Sequence, residues 1–227
     1  MKSLNLFLAI ISIALLCMSI LMGTAYAGTQ IWDFEKAAQE DDWNVATGKW
    51  GIKGGVYQET SGGSPAMASF VGEEDWTDYT VEAKIRIDKG QWAGLIFRAK
   101  SDLEYYVFYF GEGNVELWKH TGPNVDSRQN LFKHPPQKIG LKKEKEDAWH
   151  DVKAVIEGDH FEFYMDGELQ DDTIKDKSYP AGRIGVWAWK TAASFDDVKV
   201  TGPGIKDTTA VQPDKKLAIT WGKLKVD

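Results

Sequence analysis

Apolar and polar residues alternate with a period of two along most of the chain, and this pattern predicts β-strands. The clearest example is Tyr79–Ile87, in which every second residue is apolar and the residues between are Thr, Glu, Lys and Arg. Short sequences such as Asp88-Lys89-Gly90 and Gly158-Asp159 predict turns between strands. Glu35–Asp42 indicates a short helical turn, and no helix of ordinary length is predicted after residue 27. The pattern therefore predicts an all-β, two-sheet antiparallel jelly-roll sandwich.

The stretch Ala181–Val200 predicts two strands, joined by a short bend, that close the sheet. In the second of them Phe195 is out of step with Val198 and Val200, because strict alternation would place them on opposite faces of the sheet. A β-bulge at Asp196-Asp197 would bring all three apolar side chains into one core. The sequence therefore predicts a bulged acidic pair in the last strand.

The first 27 residues have the features of a secretory signal peptide. Lys2 precedes an uncharged apolar run, Leu6–Met22, and Ala25-Tyr26-Ala27 is a small-x-small cleavage pattern. We expect cleavage after residue 27 and export to the periplasm, the extracellular space or the cell surface, with retention of the run as a membrane anchor as the alternative. The jelly-roll domain is expected over residues 28–202, followed by a polar linker and a short tail at 203–227.

The composition disfavours some partners and suits others. The net charge of −7 at pH 7 makes the protein a poor candidate for binding nucleic acid or an anionic membrane. The single cysteine, Cys17, lies inside the predicted signal peptide, so disulfides and zinc–thiolate sites are not expected in the exported chain. All ten tryptophans follow residue 27, and this density suits a large aromatic core or a sugar-binding face.

Four segments occur in the order and spacing of a known family: DWTDYTVEAKIRI, AGLIFRA with EYYVFYF, WHDVKAVIEGDHFEFYMDG, and GRIGVWAW with ASFDDVKV. Over about residues 29–201 the chain resembles the concanavalin A-like lectin/glucanase jelly rolls of the laminin-G-like type, close to the bacterial 3-keto-disaccharide hydrolase domain. The resemblance implies the fold. It leaves the function open, because this fold carries lectins, carbohydrate-binding modules, hydrolases and adhesive domains.

Five side chains face away from the more regular apolar set on their strands: Trp92, Arg98, Trp118, Trp187 and Trp189. An indole ring stacks on the apolar face of a pyranose, and an arginine donates a fork of hydrogen bonds to hydroxyl or carboxylate groups. These residues predict a carbohydrate-binding surface on the concave face of the sandwich. The alternative for each tryptophan is a place in a second core between the sheets.

Carboxylates at the two ends of the domain predict a metal site. Asp33 and Glu35 lie on the predicted first strand, Thr29–Glu35, and Asp196 and Asp197 lie in the last strand. The terminal strands of a jelly roll commonly run side by side, and clustered carboxylates suit Ca²⁺. Related domains often hold a structural calcium near such residues, as the resemblance implies. The alternative is that the aspartates accept hydrogen bonds from backbone N–H groups at the bulge.

The candidates for acid–base chemistry are Glu104, Glu116 and Asp102, which lie on or next to successive strands. Glycoside cleavage commonly needs two carboxylates that flank the bond. The E-x-D-x-x-E run of glucanases with this fold is absent, whereas the resemblance to the keto-sugar domain implies cleavage by proton abstraction next to a carbonyl. The alternative is that these carboxylates are surface charges. The four histidines show no metal-ligand spacing.

Three functions follow from these features. The first is a secreted domain that recognises oligo- or polysaccharides on a tryptophan-lined concave face, with a possible structural Ca²⁺ and no other cofactor. The second is a glycoside hydrolase that acts on 3-keto-disaccharides. The third is a cell-surface adhesion module that binds protein, as laminin-G-like domains do.

Overall fold

The computed structural model describes residues 27–124, 126–136 and 148–208. The predicted signal peptide up to residue 26 and the tail after residue 208 lie outside these ranges, so the predicted domain boundaries stay predictions. The 3-10 helix Ala37–Asp42 lies within the predicted helical turn. The strands are β1 (Ala27–Trp32), β2 (Asn44–Thr47), β3 (Trp50–Lys53), β4 (Val56–Glu59), β5 (Met67–Val71), β6 (Tyr79–Ala99), β7 (Glu104–Gly111), β8 (Asn114–Thr121), β9 (Arg128–His134), β10 (His150–Glu157), β11 (His160–Met165), β12 (Glu168–Lys175) and β13 (Arg183–Pro203).

Two strands of 21 residues each, β6 and β13, run through both layers of a β-sandwich. In the first layer, residues 80–87 of β6 pair with residues 193–201 of β13. The layer continues through β10, β11 and β12 on one side and through β1, β4 and β3 on the other. In the second layer, residues 92–99 of β6 pair with residues 183–189 of β13; β7, β8 and β9 follow on one side, β5 and β2 on the other. All these pairs are antiparallel. The two-layer antiparallel sandwich is thus confirmed, with hydrogen bonding continuous through the two long strands.

The predicted turn at Asp88-Lys89-Gly90 is instead a bend within β6. Lys89 and Gly90 stay paired with Ala192 and Thr191 of β13, so the chain passes from one layer to the other without reversing. Gly90 has a φ of 124°, and a Cβ atom there would lie 2.1 Å from the carbonyl oxygen of Lys190. Glycine is therefore required where the two long strands bend together.

Aromatic rings from the two layers meet in the core. Phe108 of β7 lies 4.8 Å from Phe163 of β11 between ring centroids, and Phe97 of β6 lies 5.2 Å from Phe161. All four rings are almost completely buried. Because these contacts join the second layer to the first, the main hydrophobic core lies between the layers, as in other face-to-face β-sandwiches.

The predicted bulge in the last strand is confirmed. Pairing with β6 shifts register between Asp196 and Lys199, and Asp197 adopts a φ of 48°. As a result Phe195, Val198 and Val200 are all fully buried in the core between the layers.

A polar cluster ties β8 to the segment between β12 and β13. The Asp176 carboxylate accepts hydrogen bonds from the Tyr106 hydroxyl (2.7 Å), from Lys119 Nζ (2.6 Å) and from the Ser178 backbone N–H (2.8 Å). Partial burial raises the pKa of Asp176, but the hydrogen bonds from Lys119, Ser178 and Tyr106 outweigh it and hold the pKa well below its usual range. The ionised carboxylate therefore stabilises the folded state.

We expect Asp176 to make stability depend on acid pH. Its pKa is lower in the folded than in the unfolded chain, so its contribution is present in full above about pH 4 and is lost as the pH falls from there through the native pKa. Asp176→Asn should lower the free energy of unfolding at pH 7 by about 2 kcal/mol or more, and by less at pH 3. Urea unfolding at both pH values measures this. Asp159→Asn, at an exposed turn position, is the control and should change little at either pH. Equal losses for Asp176→Asn at pH 7 and pH 3 would contradict the assignment.

Candidate functional site

The outer face of the second layer carries a second aromatic cluster, separate from the core between the layers. Along β7 the alternate residues Tyr105, Val107 and Tyr109 point to this face, and their neighbours point into the main core. We call this surface the aromatic face. Its aromatic side chains are Phe70, Trp92, Tyr105, Tyr109, Trp118, Trp187 and Trp189.

The centre of the aromatic face is a stacked pair of rings. Trp187 of β13 and Tyr109 of β7 lie 4.8 Å apart between centroids with an interplanar angle of 12°. Both residues are paired with Gly94 of β6, which lies between them. A Cβ atom on Gly94 would come within 2.4 Å of the Tyr109 Cβ. The absent side chain therefore allows the indole and phenol to close over the middle strand, and Trp187 is only 1% exposed.

A buried carboxylate fixes two of the aromatic side chains. Glu116 of β8 accepts hydrogen bonds from the Tyr109 hydroxyl (3.1 Å) and from Trp118 Nε1 (2.6 Å), and it forms an ion pair with Lys133 Nζ of β9 (2.7 Å). Its side chain is only 3% exposed. Burial and the Glu116 charge raise the pKa of Tyr109, so the phenol stays protonated and continues to donate. Glu116 thus sets the orientation of the rings around it.

His120 is a neutral imidazole on the same face. Its ring stacks on Tyr105 at 4.4 Å and is almost completely buried. Burial, together with the positive charge of Arg128, lowers the pKa of His120 to about 4, so the ring carries no charge at pH 7. Within the described part of the chain, its Nε2 atom has no hydrogen-bond partner. This atom is a free donor or acceptor, depending on the tautomer.

Trp118 and Trp189 are the partly exposed aromatic side chains of this face. The Arg128 guanidinium lies 4.7 Å from the centroid of Trp118, and Lys190 Nζ lies 4.5 Å from that of Trp189. An indole that is half-exposed and fixed in position presents a flat apolar surface to a ligand, whereas the buried Trp92 and Trp187 support that surface from within.

Four of the five predicted sugar-contacting residues lie on the aromatic face, and Arg98 does not. The pairing of β6 with β13 shifts register next to Arg98, and Arg98 has a φ of 48°. Its side chain therefore does not follow the strand alternation from which its position was predicted. Its buried guanidinium instead donates to the carbonyl oxygens of Thr77 (2.9 Å), Tyr179 (2.9 Å) and Gly158 (3.1 Å). Arg98 therefore ties loops together at one end of the sandwich, and the place predicted for it is wrong.

Glu104 and Glu116 are too far apart to flank one glycosidic bond. Asp102 forms an ion pair with Arg183 (3.0 Å) and Glu104 with Lys100 (3.1 Å), both near the turn between β6 and β7. Glu104 lies opposite Thr121 in the β7–β8 ladder, and Glu116 lies five positions away on β8. That spacing is about 17 Å along a strand, against roughly 5–10 Å between the carboxyl groups of glycosidases.

The acidic corner offers no ready-made metal site. Asp197 forms an ion pair with Lys84 (2.7 Å), Asp196 accepts from the Asp197 backbone N–H (2.7 Å), and Asp33 accepts from the Glu35 backbone N–H (3.3 Å). Burial and the nearby Asp197 and Glu35 charges raise the pKa of Asp196. In the described ranges no three acidic or histidine side chains are grouped to hold a metal ion. The geometry therefore fits the alternative role for Asp196, which accepts a backbone hydrogen bond at the bulge, whereas Asp197 pairs with Lys84.

Calcium binding stays a prediction from the sequence, and thermal unfolding tests it. With Asp196 and Asp197 already paired, we expect the melting temperature to be the same with a chelator as with added Ca²⁺. A rise with Ca²⁺ that Asp196→Asn abolishes would show that the corner rearranges to bind the ion.

The comparisons with known proteins agree on the fold. A carbohydrate-binding module, CBM66 from Bacillus subtilis, superposes with a TM-score of 0.58 at 22% identity over 70% of this chain and 94% of that one. The catalytic domain of an endo-1,3-beta-glucanase (laminarinase) from Thermotoga petrophila gives 0.54 at 12% identity over 78% and 97%. A Bacillus subtilis protein of unknown function with a galectin-like fold gives 0.56 at 12% identity over 77% and 94%. At these identities the likeness shows the fold, that of concanavalin A-like binding modules and glycosidases.

No curated protein matches the chain significantly. Among the described residues, no helix combines the length and apolar character needed to cross a membrane. One family model, described as a 3-keto-alpha-glucoside-1,2-lyase-like domain, matches residues 29–201, which is most of the sequence. The chain therefore belongs to the 3-keto-alpha-glucoside-1,2-lyase-like domain family, the group that its four ordered sequence segments indicate.

Proposed function

We propose that this protein binds carbohydrate on the aromatic face. The observation that carries the proposal is the pair of half-exposed indoles, Trp118 and Trp189, on a face whose centre is the buried stack of Trp187 and Tyr109. Flat apolar rings of this kind stack on the apolar faces of sugar rings. The fold shared with a carbohydrate-binding module and with glucanases supports the same ligand class.

The hydrogen bonds beneath Trp118 favour binding because they fix the ring in advance. Trp118 Nε1 donates to the buried Glu116, and Arg128 covers part of the ring. A side chain that is already held in place loses little conformational freedom when a ligand stacks on it. Trp118 is therefore the platform on which we expect most of the affinity to depend.

Replacing either half-exposed indole should weaken glycan binding. We expect Trp118→Ala and Trp189→Ala each to lower affinity about tenfold or more for glycans found by an array screen, because each removes a stacking surface. Isothermal titration calorimetry measures the change. Trp149→Ala is the matched control, since Trp149 is 37% exposed, lies beside β10 in the first layer and stacks with Arg86.

The control variant should bind like the wild type. Equal losses in Trp149→Ala and Trp118→Ala would contradict a site on the aromatic face. Failure of the wild type to bind any glycan saturably would contradict the proposal and would favour the adhesion hypothesis.

A second candidate function is the elimination reaction that the family description names. A ketone at C3 acidifies the neighbouring C2–H bond; a base takes that proton, the C–H electron pair forms the C1=C2 double bond, and the glycosidic oxygen leaves C1 with its bonding pair. The observation that favours this candidate is the neutral His120 imidazole with its unpartnered Nε2 on the aromatic face. The imidazole is unprotonated at pH 7 and Nε2 has a lone pair to receive the proton, but burial and the lowered pKa make it a weaker base than an ordinary histidine.

The test is turnover of a 3-keto-glucoside, followed by release of its leaving group. We expect any activity to be lost in His120→Gln and kept in Asp102→Asn, whose carboxylate pairs with Arg183 at the end of the sheet. Activity that survives His120→Gln would contradict this assignment of the base, and absence of turnover would leave binding as the function.

We also propose that the chain is exported, on the basis of its predicted signal peptide. Expression of the full chain in a bacterial host, followed by N-terminal sequencing, tests this proposal. A mature protein that begins at Gly28 would support it, and an uncleaved cytoplasmic product would contradict it.

A further inference from the structure

Four positively charged side chains surround the aromatic face, each placed over one of its rings. They account for four of the six such contacts in the described residues: Arg128 over Trp118 (4.7 Å), Lys133 over Trp92 (5.5 Å), Lys190 over Trp189 (4.5 Å) and Arg183 over Phe70 (5.0 Å). The remaining two contacts, made by Arg86 and Lys153, belong to the first layer. The aromatic face is thus bordered by cations although the whole chain is acidic, with a net charge of −7.

Two of these four charges are not neutralised by a neighbouring carboxylate. Lys133 is paired with Glu116 and Arg183 with Asp102. Arg128 and Lys190 form no ion pair with any carboxylate of the described ranges, and their charged groups lie over the rings of Trp118 and Trp189. The two half-exposed indoles each carry an unneutralised positive charge beside them.

The outer face of the first layer carries a more balanced set of charges. A groove of about 470 Å³ there is lined by both acids and lysines, and two of its lysines have acidic partners: Lys84 pairs with Asp197, and Lys199 pairs with Glu82, whereas Lys153 lies over Tyr164. Cations with acidic partners leave no net attraction for an anion. The excess of unneutralised positive charge is therefore a property of the aromatic face and not of the protein surface in general.

The field of Arg128 extends over the inner part of the aromatic face. It lies opposite His120 in the β8–β9 ladder, and its charge acts on the ionisation of Tyr105, Tyr109 and His120. The free Nε2 atom of His120 adds a buried hydrogen-bonding group beside this charge. A guanidinium offers paired N–H donors that match the two oxygens of a carboxylate or sulfate.

We propose that the ligand of the aromatic face is an anionic saccharide, in which sugar rings stack on Trp118 and Trp189 while carboxylate or sulfate groups bind Arg128 and Lys190. This inference rests on the proposed carbohydrate-binding function and specifies its ligand class. A pyranose chair with an equatorial acidic group presents an apolar face of C–H bonds and a negative charge together. The face supplies the complementary indole and cation in the same two places.

The experiment compares matched charged and neutral polymers on the full chain. Polygalacturonate is paired with fully methyl-esterified pectin, and dextran sulfate with dextran, so the two arms separate carboxylate from sulfate recognition. We expect at least one anionic polymer to bind about tenfold or more tightly than its neutral counterpart at low ionic strength, with the preference shrinking as salt is added. Equal affinity within both pairs would overturn the inference.

Three charge variants test whether the anionic polymer binds at the aromatic face. Arg128→Gln and Lys190→Gln should each weaken binding of the anionic polymer several-fold, and Lys153→Gln, which removes the cation over Tyr164 in the first layer, should leave it unchanged. Lys190 is exposed, so its variant tests the inference even where Arg128→Gln disturbs Trp118. Equal losses in Lys153→Gln would show non-specific attraction and would overturn it.

The outcomes also separate this inference from the proposed function. A neutral glycan that binds tightly, is lost in Trp118→Ala and is unaffected by Lys190→Gln would overturn the anionic ligand and leave carbohydrate binding intact. No saturable binding to any polymer would contradict both.

Discussion

Arg98→Met is expected to lower the free energy of unfolding by about 3–5 kcal/mol, because it leaves three backbone carbonyl groups without their donor inside the protein. The guanidinium holds the carbonyl oxygens of Thr77, Gly158 and Tyr179, and only 1% of the Arg98 side chain is exposed. Methionine is similar in length and apolar, so it fills the space without replacing the hydrogen bonds. Urea unfolding measures the loss, which corresponds to a fall in melting temperature on the order of 10 °C for a domain of this size.

Arg86→Met is the matched control for this prediction. Arg86 lies on the outer face of the first layer, where it pairs with Asp88 and stacks with Trp149 while remaining about 30% exposed. Its loss should cost about 1 kcal/mol or less, as is usual for exposed ion pairs. At a temperature where Arg98→Met is folded, glycan affinity should equal that of the wild type. A variant of normal stability that had lost glycan binding would restore Arg98 to the ligand site.

Local alternation predicted the strands well because each strand here has one face turned to the main core. Tyr79–Ile87 shows this directly, with alternate side chains buried along the first half of β6. The same reasoning predicted the bulge at Asp196-Asp197, because only an extra residue there lets Phe195, Val198 and Val200 all face the core. Alternation could not show that β6 continues past Gly90. The sequence Asp88-Lys89-Gly90 is typical of a reversal, and only pairing with the bend of β13 keeps the strand extended.

The aromatic face was predicted in part, and the gaps have a physical cause. Trp92, Trp118, Trp187 and Trp189 were recognised because each is a large apolar residue at a position that alternation turns away from the main core. Alternation along β8 also places His120 on the side of Glu116 and Trp118, so that signal was present in the sequence. Arg128 and Lys133 were missed because they face the tryptophans only through the pairing of β8 with β9, which includes a register shift.

The tryptophan pattern could not distinguish a supporting ring from a contacting one. Trp187 and Trp189 lie two residues apart on the same strand and face, yet Trp187 is buried and Trp189 is partly exposed. The difference comes from Gly94 and Tyr109 on the neighbouring strands, which let the Trp187 indole lie down against the sheet. The burial of an outward-facing side chain is therefore decided by its cross-strand neighbours.

Trp187→Ala is accordingly expected to act first on stability, with a loss of about 3–5 kcal/mol in the free energy of unfolding. The substitution removes a fully buried indole and its stack with Tyr109, and it leaves a cavity above Gly94. Trp187→Phe keeps an aromatic ring over the glycine and should cost less than half as much. Unfolding in urea compares the two variants with the wild type, and calorimetry with a neutral glycan compares their binding.

Measuring glycan affinity and stability in the same variants should show which tryptophans contact the sugar and which only support the face. Trp187→Phe keeps the buried centre and both half-exposed indoles, so we expect its glycan affinity to stay within about threefold of the wild type, whereas Trp189→Ala loses affinity with little change in stability. If Trp187→Phe kept its stability and lost binding as completely as Trp189→Ala, the Trp187 indole would itself contact the sugar. If instead Trp187→Phe keeps its affinity and Trp189→Ala loses it, as we expect, the half-exposed rings bind the sugar. Trp187 then stabilises the strands that carry them.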